Sequence, residues 1–273
     1  MNKSSPQARE MRDESMVRNL AAQAEAIWPQ ERPIFSGYSL PPKARILDVG
    51  CGPGEITSRV AELFADAELL GIDLEEEHLV LARQRCERFG SRVRFQVGDA
   101  LALPLPDAQF DLVICRHLLQ AIPNPRRAVE EMRRVARPGG RLHVIAEDYG
   151  MLWCHPTQRD TDVFWREGPL VYGQSIGVDL RIGRKMFAIL SELGLAEIAV
   201  QWLVIDTLRV PRETFAKIWE AWRDGYTESL VAKSRLPRSE IEAYWAEMIA
   251  CVRNPRGYAL WHLPLWTARV ARR

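Results

Sequence analysis

Beyond Pro42 the chain alternates between short apolar stretches and longer stretches in which apolar residues recur every three or four positions. The first pattern is typical of buried strands and the second of amphipathic helices. Together they predict strands at 44–49, 69–72, 93–97, 110–115 and 141–146, with helices at 56–65, 75–89 and 125–137. Strands that alternate with helices favour a parallel sheet covered on both faces, so the expected fold class is α/β and doubly wound.

The second half of the chain repeats both patterns less regularly. Its predicted elements are a helix at 183–193, a strand at 196–205, aromatic-rich helices near 211–230 and 237–252, and a strand at 258–270. A further helix is predicted at 16–28, after which several prolines indicate a loop. The expected domains are an N-terminal helical cap (1–40), a core (41–206 and 258–273) and a helical insertion (207–257).

The charge balance and the cysteine content limit the kinds of ligand that the protein can be expected to bind. The 273 residues include 37 basic and 36 acidic side chains, whereas proteins that bind duplex nucleic acid usually show a basic excess. The five cysteines form no C-x-x-C pair, which disfavours a cysteine metal site and suits a reducing compartment. No apolar run approaches the ~18 residues of a membrane span, and the polar start lacks a signal-peptide core. We expect a cytoplasmic protein that binds neither nucleic acid nor membrane and needs no metal.

A glycine-rich turn follows the first predicted strand and opens a helix. It has the spacing G-x-G-x-G, with Gly50, Cys51, Gly52 and Gly54. Glycines here allow a backbone to approach a ligand closely, although a sharp strand-to-helix turn would also need them. Asp48 lies two residues before the first glycine, where a carboxylate would repel a pyrophosphate and attract a cation. S-adenosylmethionine (SAM) carries a sulfonium, an ammonium and no phosphate, so the loop favours SAM over NAD.

Two further acids follow the next two strands. Asp73 ends the second strand, where a carboxylate can accept hydrogen bonds from both ribose hydroxyls. Asp99 follows the third strand, where it can accept a hydrogen bond from an adenine amino group. Each acid alone could be a helix cap or a turn residue. Three acids at three successive strand ends are hard to explain in that way.

These residues resemble the class I SAM-dependent methyltransferases. The matching stretches, which together span residues 40–150, are ILDVGCGPG, LLGIDLEEEHL, VGDALALPLPDAQFDLVICRHLLQ and RVARPGGRLHVIAE. The resemblance implies a Rossmann-like sheet of seven strands, the last two at 196–205 and 258–270. It also implies cofactor contacts from Gly50, Cys51, Gly52 and Gly54 at the methionine and ribose, from Asp73 and Leu74 at the ribose, from Asp99, Ala100 and Leu101 at the adenine, and from the backbone of Cys115 and Arg116 at the methionine.

Methyl transfer needs alignment of the reactants, exclusion of water and, for some acceptors, a base. His117, just after the fourth strand, is the candidate catalytic base, since imidazole titrates near neutrality. The alternative is a residue at a helix start that packs on the cofactor. Glu147, Asp148 and Tyr149 follow the fifth strand and could bind or deprotonate an acceptor, or simply form a polar loop.

The insertion at 207–257 leaves the sheet at the edge where ligands bind, because strand six runs parallel to the strands before it. Aromatic residues recur along its helices at helical spacing, among them Trp219, Trp222 and Tyr244. They could wall an apolar acceptor pocket. They could equally pack the insertion onto the core or form a homodimer contact. We expect the insertion to act as a lid over the acceptor.

The function expected from these residues is methyl transfer from SAM to an oxygen, nitrogen or carbon atom of a small, partly apolar molecule, such as a secondary metabolite or a quinone-like ring. Two alternatives stay open. One is a SAM-binding protein without catalytic activity. The other is a methyltransferase that acts on a tRNA or a protein, for which a broad open groove would be expected.

Overall fold

The computed structural model describes residues 14–272, so the first 13 residues of the expected cap and residue 273 of the expected core lie outside it. The strands of the described range are β1 Arg45–Val49, β2 Glu68–Asp73, β3 Val93–Val97, β4 Phe110–Arg116, β5 Ala136–Ile145, β6 Leu152–His155, β7 Leu195–Asp206 and β8 Tyr258–Val270. Strands β3, β2, β1, β4 and β5 are parallel neighbours in that order. β8 pairs antiparallel with β5 on one side and with β7 on the other. The α/β, doubly wound prediction is confirmed.

Helices surround this sheet. In the described range they are α1 Glu14–Ser36, α2 Glu55–Leu63, α3 Glu76–Cys86, α4 Pro125–Val135, α5 Thr161–Glu167, α6 Pro169–Ser175, α7 Met186–Glu192, α8 Arg212–Lys233 and α9 Arg238–Arg253. Short 3-10 turns lie at Glu87–Arg92, Leu119–Ala121 and Ile182–Lys185. Leu47 and Val49 of β1 belong to one buried cluster and Ile46 to another. Alternate residues of a strand point to opposite faces, so both faces of the sheet are covered.

The sheet has eight strands where seven were expected, and the difference lies in residues 147–182. β6 spans four residues and pairs antiparallel with the start of β8. α5 and α6 follow it with seven residues each. Elements this short show too few repeats of either period to be recognised in a sequence. The extra strand extends the sheet beside β8 without changing the order of the others.

Helix α1 is longer than predicted. It continues through Pro29 and Pro33 to Ser36, where the sequence indicated a loop. Both prolines are exposed, so the backbone carbonyls that they leave without a partner can bind water. Phe35 is fully buried and its ring centroid lies 4.1 Å from that of His143 in β5. Packing of the last turn therefore outweighs the helix-breaking effect of proline.

Helices α8 and α9 lie between the end of β7 at Asp206 and the start of β8 at Tyr258. They form one buried cluster with α1, α5, α6 and the adjacent sheet. Arg18 of α1 pairs with Asp224 of α8 at 3.1 Å, and the Thr214 hydroxyl donates to Glu25 of α1 at 2.8 Å. The insertion and the N-terminal helix therefore pack against one another in one buried cluster. None of the described helices combines the length and the apolar character that a membrane span needs.

Candidate active site

The glycine loop connects β1 to α2 in a conformation that side chains rarely tolerate. Gly50, Gly52 and Gly54 have φ angles of 71°, 51° and 76°, in the left-handed region that favours glycine. The N–H groups of Gly50 and Cys51 both donate to the carbonyl of Ile72 at the end of β2, at 2.7 and 3.0 Å. The loop is thereby held against the neighbouring strand.

Asp73 lies at the rim of this loop. Its Oδ2 accepts a hydrogen bond from the Gly52 N–H at 2.8 Å, and its Oδ1 accepts one from the Glu75 N–H at 3.0 Å. The same carboxylate lies 3.8 Å from Nδ1 of His78 and raises the pKa of that imidazole. Each carboxylate oxygen has two lone pairs, so Asp73 can accept further hydrogen bonds from a pair of ligand hydroxyls. Leu74 follows it, partly buried.

Asp99 stands at the end of the adjacent strand. The Gly98 N–H donates to the Asp73 carbonyl at 2.9 Å, which ties the ends of β2 and β3 together. Asp99 Oδ1 accepts a hydrogen bond from the Leu101 N–H at 2.8 Å. Ala100 and Leu101 are partly buried against the core. Asp99 therefore makes the contact expected of a turn residue. It also follows the strand next to that of Asp73, as expected of a residue that binds the adenine of the cofactor.

Asp48 is buried beneath the glycine loop, 4% exposed. The Thr57 hydroxyl of α2 donates to its Oδ2 at 2.6 Å. Burial raises the pKa of Asp48 to about 6, and the Thr57 hydrogen bond offsets only part of that effect. A buried carboxylate with this pKa is mostly ionised at neutral pH and gains from a nearby cation.

The two cysteines predicted at the cofactor are buried side chains. Burial raises the pKa of the Cys51 thiol well above its ordinary value, and burial also raises the pKa of Cys115. Cys115 sits in β4, between Val49 of β1 and Val144 of β5. Thiols with raised pKa values are poor nucleophiles at neutral pH, so these residues pack around the loop.

A cavity of about 30 Å³ lies between the glycine loop, α1 and the end of β4. Leu20 and Gln23 of α1 line it together with Asp48, Arg116 and His117. Arg116 thus borders the site as expected, and its guanidinium pairs with Glu31 of α1 at 2.9 Å. The α1 residues were missed from the sequence, although amide and acid side chains recurring on the apolar face of a helix were a signal that could have indicated them.

His117 begins the segment after β4 with an unusual backbone. Its φ angle is 54°, a left-handed conformation that is uncommon for residues other than glycine, although asparagine, aspartate and histidine adopt it more often than most. Its Nδ1 lies 2.6 Å from Oε1 of Glu147, which follows β5. Gln120 donates to the same Glu147 oxygen at 3.0 Å. Strained backbones of this kind persist where the surroundings impose them, and they cluster at functional sites.

The other imidazole nitrogen of His117 is available for chemistry. A carboxylate accepts the Nδ1–H, which leaves the lone pair of the neutral ring on Nε2. Nε2 is buried and has no hydrogen-bond partner among residues 14–272. The Trp261 ring of β8 lies beside the imidazole, with 6.0 Å between the ring centroids. His117 and Glu147 therefore form an oriented dyad next to an apolar wall.

The two residues after Glu147 have different surroundings. Asp148 is fully buried and binds the guanidinium of Arg184 through both oxygens, at 2.5 and 2.8 Å. It also accepts the Gly150 N–H at 2.9 Å. The Tyr149 ring stacks on Trp222 of α8, with the centroids 5.6 Å apart. Asp148 thus anchors the chain after β5, while Tyr149 joins the aromatic cover.

The three insertion aromatics expected at the acceptor separate into two groups. Trp222 contacts Trp261 at a centroid distance of 5.1 Å, one ring away from His117. It also borders a second, narrow cavity of about 10 Å³ that is lined by aromatic and aliphatic side chains. The ring contacts of Trp219 and Tyr244 in the described structure are instead with Phe215 (4.9 Å) and Phe164 (5.3 Å). Of these three residues, Trp222 is therefore the one that contacts the aromatic ring beside His117.

No group of three or more metal-ligating side chains that could hold an ion occurs within residues 14–272. The groups that the structure brings together at the carboxyl ends of β1, β2 and β4 are the glycine loop, Asp48, Asp73, Arg116 and His117. The arrangement can hold a cationic ligand against the loop and present an imidazole base beside it.

Comparisons with known proteins find similarity to methyltransferases. A family model described as a methyltransferase domain matches residues 40–166. The demethylmenaquinone methyltransferase of Thermus thermophilus is 40% identical over 101 residues, which make up 37% of this chain and 46% of that protein. The chain thus covers less than half the length of this curated relative.

Two solved structures show the same fold. A phosphoethanolamine N-methyltransferase 2 of Haemonchus contortus aligns over 98% of this chain and 60% of that one, with 19% identity and a TM-score of 0.62. The [4+2]-cyclase SpnF aligns over 95% of this chain and 82% of that one, with 24% identity and a TM-score of 0.54. The ordered motifs, the sheet and the family model together identify residues 40–166 as a domain of the class I SAM-dependent methyltransferase family.

Proposed function

We propose that the protein transfers a methyl group from SAM to a small, partly apolar molecule. When bound, SAM supplies a methyl group already activated on a sulfonium. The residues at the glycine loop fit such a ligand: a buried carboxylate lies beneath the loop, and a second one borders it. Asp48 would offset the ligand's positive charge, and Asp73 would accept hydrogen bonds from its ribose hydroxyls.

His117 and Glu147 supply the chemistry that the acceptor needs. Nε2 of His117 would take the proton from the acceptor's attacking O–H group. The oxygen lone pair freed there would form the bond to the methyl carbon as the bond from that carbon to the sulfonium sulfur breaks, and SAH would be the leaving product. Glu147 keeps the imidazole in the correct tautomer and stabilises the imidazolium that forms. Dyads of this kind contribute about 10²–10⁴-fold to rate. The unpartnered, buried Nε2 beside the cofactor cavity is the observation that carries this assignment.

The acceptor is expected to be aromatic or otherwise flat, with an O–H group. Trp261, Trp222 and Tyr149 form a continuous series of rings that begins at His117. Aromatic walls favour planar apolar ligands. A hydroxylated quinone-like ring suits this wall, and the demethylmenaquinone methyltransferase that matches this chain bears the name of a quinone acceptor.

The insertion at 207–257 acts in this proposal as a lid. α8 carries Trp222 to the ring wall beside His117, and α1 lies between α8 and the glycine loop. Both helices would have to shift for ligands to enter, and their return would exclude water from the methyl transfer. A covered site of this kind suits a small acceptor better than a tRNA or a protein.

Calorimetry with S-adenosylhomocysteine (SAH) and NAD tests the cofactor assignment directly. We expect micromolar binding of SAH and none of NAD. A second assay follows SAH release when the protein is mixed with SAM and a panel of phenols and hydroquinols. If the protein binds SAH but releases none from SAM with any acceptor of the panel, the non-catalytic alternative is supported. Binding of NAD without binding of SAH would overturn the proposal.

A further inference from the structure

Helix α1 presents a line of buried polar side chains to the site. Asn19, Gln23 and Glu31 lie four or eight residues apart, which places them on one face of the helix together with Ile27. They are 5%, 2% and 0% exposed. Burying polar groups costs free energy unless each finds a hydrogen-bond partner. A helix that only needed to pack on the core would carry apolar residues here.

Several polar atoms on this face have no partner in the protein. Asn19 Oδ1, Gln23 Oε1 and Glu31 Oε2 are buried without a hydrogen-bond partner among residues 14–272, and so is Nη2 of Arg116 opposite them. Native structures leave few buried polar groups unsatisfied. Gln23 and Arg116 both line the 30 Å³ cavity at the glycine loop. The unsatisfied atoms of Gln23 and Arg116 therefore point to a polar ligand in that cavity.

The two sides of the cavity have opposite hydrogen-bonding character. The α1 side offers the Gln23 amide oxygen as an acceptor, and the β4 side offers the Arg116 guanidinium, which can only donate. The matching ligand carries an ammonium and a carboxylate together, as the α-amino-acid end of SAM does.

We propose, on the basis of the function proposed above, that α1 is part of the cofactor site: Gln23 Oε1 accepts a hydrogen bond from the ammonium of SAM, and Arg116 Nη2 donates to its carboxylate. Glu31 is a positioning residue for Arg116. Its Oε1 lies 2.9 Å from Arg116 Nε, and it accepts a hydrogen bond from His143 Nε2 at 2.8 Å.

The hydrogen bonds around Glu31 leave Arg116 as the cation that its carboxylate pairs with. The Tyr38 hydroxyl donates a hydrogen bond to His143 Nδ1 at 2.7 Å. Burial lowers the pKa of His143, so this imidazole is neutral at pH 7. Burial acts to raise the pKa of Glu31, but Arg116 and His143 together lower it further than burial raises it. Glu31 is therefore ionised and pairs with one cation, which fixes the direction of the Arg116 side chain.

Helix α1 has docking contacts that do not involve Gln23. Arg18 and Glu25 already bind α8, and Gln30 makes two hydrogen bonds to the backbone of Val204 in β7, at 2.8 and 3.0 Å. Gln23 lines the cavity at the glycine loop, whereas these anchors bind α8 and β7. A role for Gln23 in ligand binding is therefore separable from a role in holding the helix.

Calorimetry with two adenosine ligands tests the assignment. SAH has the amino-acid end, and 5′-methylthioadenosine lacks it. Gln23→Met keeps the length of the side chain but removes both polar atoms. We expect it to weaken SAH binding about tenfold or more, the size of a lost hydrogen bond to a charged group, and to change methylthioadenosine binding less than twofold. Gln23→Glu, with a carboxylate facing the ammonium, is expected to bind SAH at least as tightly as the unmodified protein.

Analogues of SAH separate the two ends of the zwitterion. Gln23→Met should bind SAH and its desamino analogue with equal affinity, and Glu31→Gln should no longer distinguish SAH from its decarboxylated analogue. Gln30→Leu is the control on the same helix, and Asp73→Asn is the control that should weaken SAH and methylthioadenosine alike. Equal losses for both ligands in Gln23→Met, or no loss of SAH binding, would overturn the inference. Failure of the unmodified protein to bind SAH would overturn the proposed function instead.

Discussion

Oε1 of Glu147, at the end of β5, lies 2.6 Å from Nδ1 of His117, at the end of β4. The two side chains are 2% and 5% exposed, so the pair is shielded from water. Both follow parallel neighbouring strands, and the N–H of His117 donates to the carbonyl of Ile145 at 3.2 Å. The sheet itself thus fixes the separation of base and carboxylate.

The pKa of Asp48 predicts a stability that depends on pH. Burial raises that pKa from 3.8 to about 6, so the folded protein holds the proton more tightly than the unfolded chain does. The contribution is favourable below pH 4 and is lost as the pH rises through about 6. Asp48→Asn should therefore be more stable than the unmodified protein by roughly 2–3 kcal/mol at pH 8 and similar to it at pH 4. Urea unfolding between pH 4 and 8 measures this, and a difference that does not vary with pH would contradict it.

The same substitution should lower affinity for SAM. A nearby cation favours the ionised carboxylate, so SAM binding should strengthen as the pH rises through about 6. Asp48→Asn should bind SAM more weakly at pH 8 and lose most of this pH dependence. Calorimetry at pH 5 and pH 8 distinguishes the two proteins, and unchanged affinity in the variant would remove Asp48 from the cofactor site.

Asp73→Ala should weaken SAM binding by about 1.5–3 kcal/mol, because it removes hydrogen bonds between a charged group and the ribose. It also removes the acceptor of the Gly52 N–H, so part of the loss would come from the loop. Deoxyribose analogues of SAH separate the two effects: their affinity should fall less than that of SAH. An equal loss for both would leave Asp73 with a purely structural role.

Trp222→Phe and Trp219→Phe form a matched pair on α8. Both side chains are at most 2% exposed, so both variants should lose stability to a similar extent. Only Trp222 touches Trp261 and Tyr149, so only Trp222→Phe should raise the KM for the acceptor, with the Kd for SAM unchanged. Equal effects of the two substitutions on acceptor KM would argue against a lid whose inner surface binds substrate.

Activity should not require a divalent metal, because the sulfonium is already activated and the sequence shows no recognisable metal-ligand spacing. With an acceptor in hand, the rate of methyl transfer should be the same in EDTA as in magnesium. Loss of the rate in EDTA and its recovery on adding magnesium would contradict this.

The sequence was most informative where chemistry and backbone requirements coincide. The glycine spacing, Asp48, Asp73 and the alternation of strands with helices are all local features, and the expected α/β sheet follows from that alternation. Tertiary contacts decided the rest. Pro29 and Pro33 suggested a loop, but the burial of Phe35 extends α1 past them.

The partners of the site residues could not be read from the chain. Glu147 and Asp148 are neighbours of the same charge, yet one pairs with His117 and the other with Arg184, 36 residues later. Gln23 and Glu31 reach the site only because α1 packs across it. Such contacts join residues far apart in sequence, and hydrophobic periodicity does not predict them.

The central claim is that His117 acts as a base in methyl transfer from SAM, and His117→Asn tests it most directly. Asparagine tolerates the left-handed backbone at this position, so the fold and SAH affinity should be unchanged. The measurement is the rate at which a tritiated methyl group passes from SAM to a hydroquinol acceptor under saturating SAM. We predict a fall of about 100-fold or more in kcat relative to the unmodified protein. An unchanged rate in a variant that still binds SAH would contradict the account.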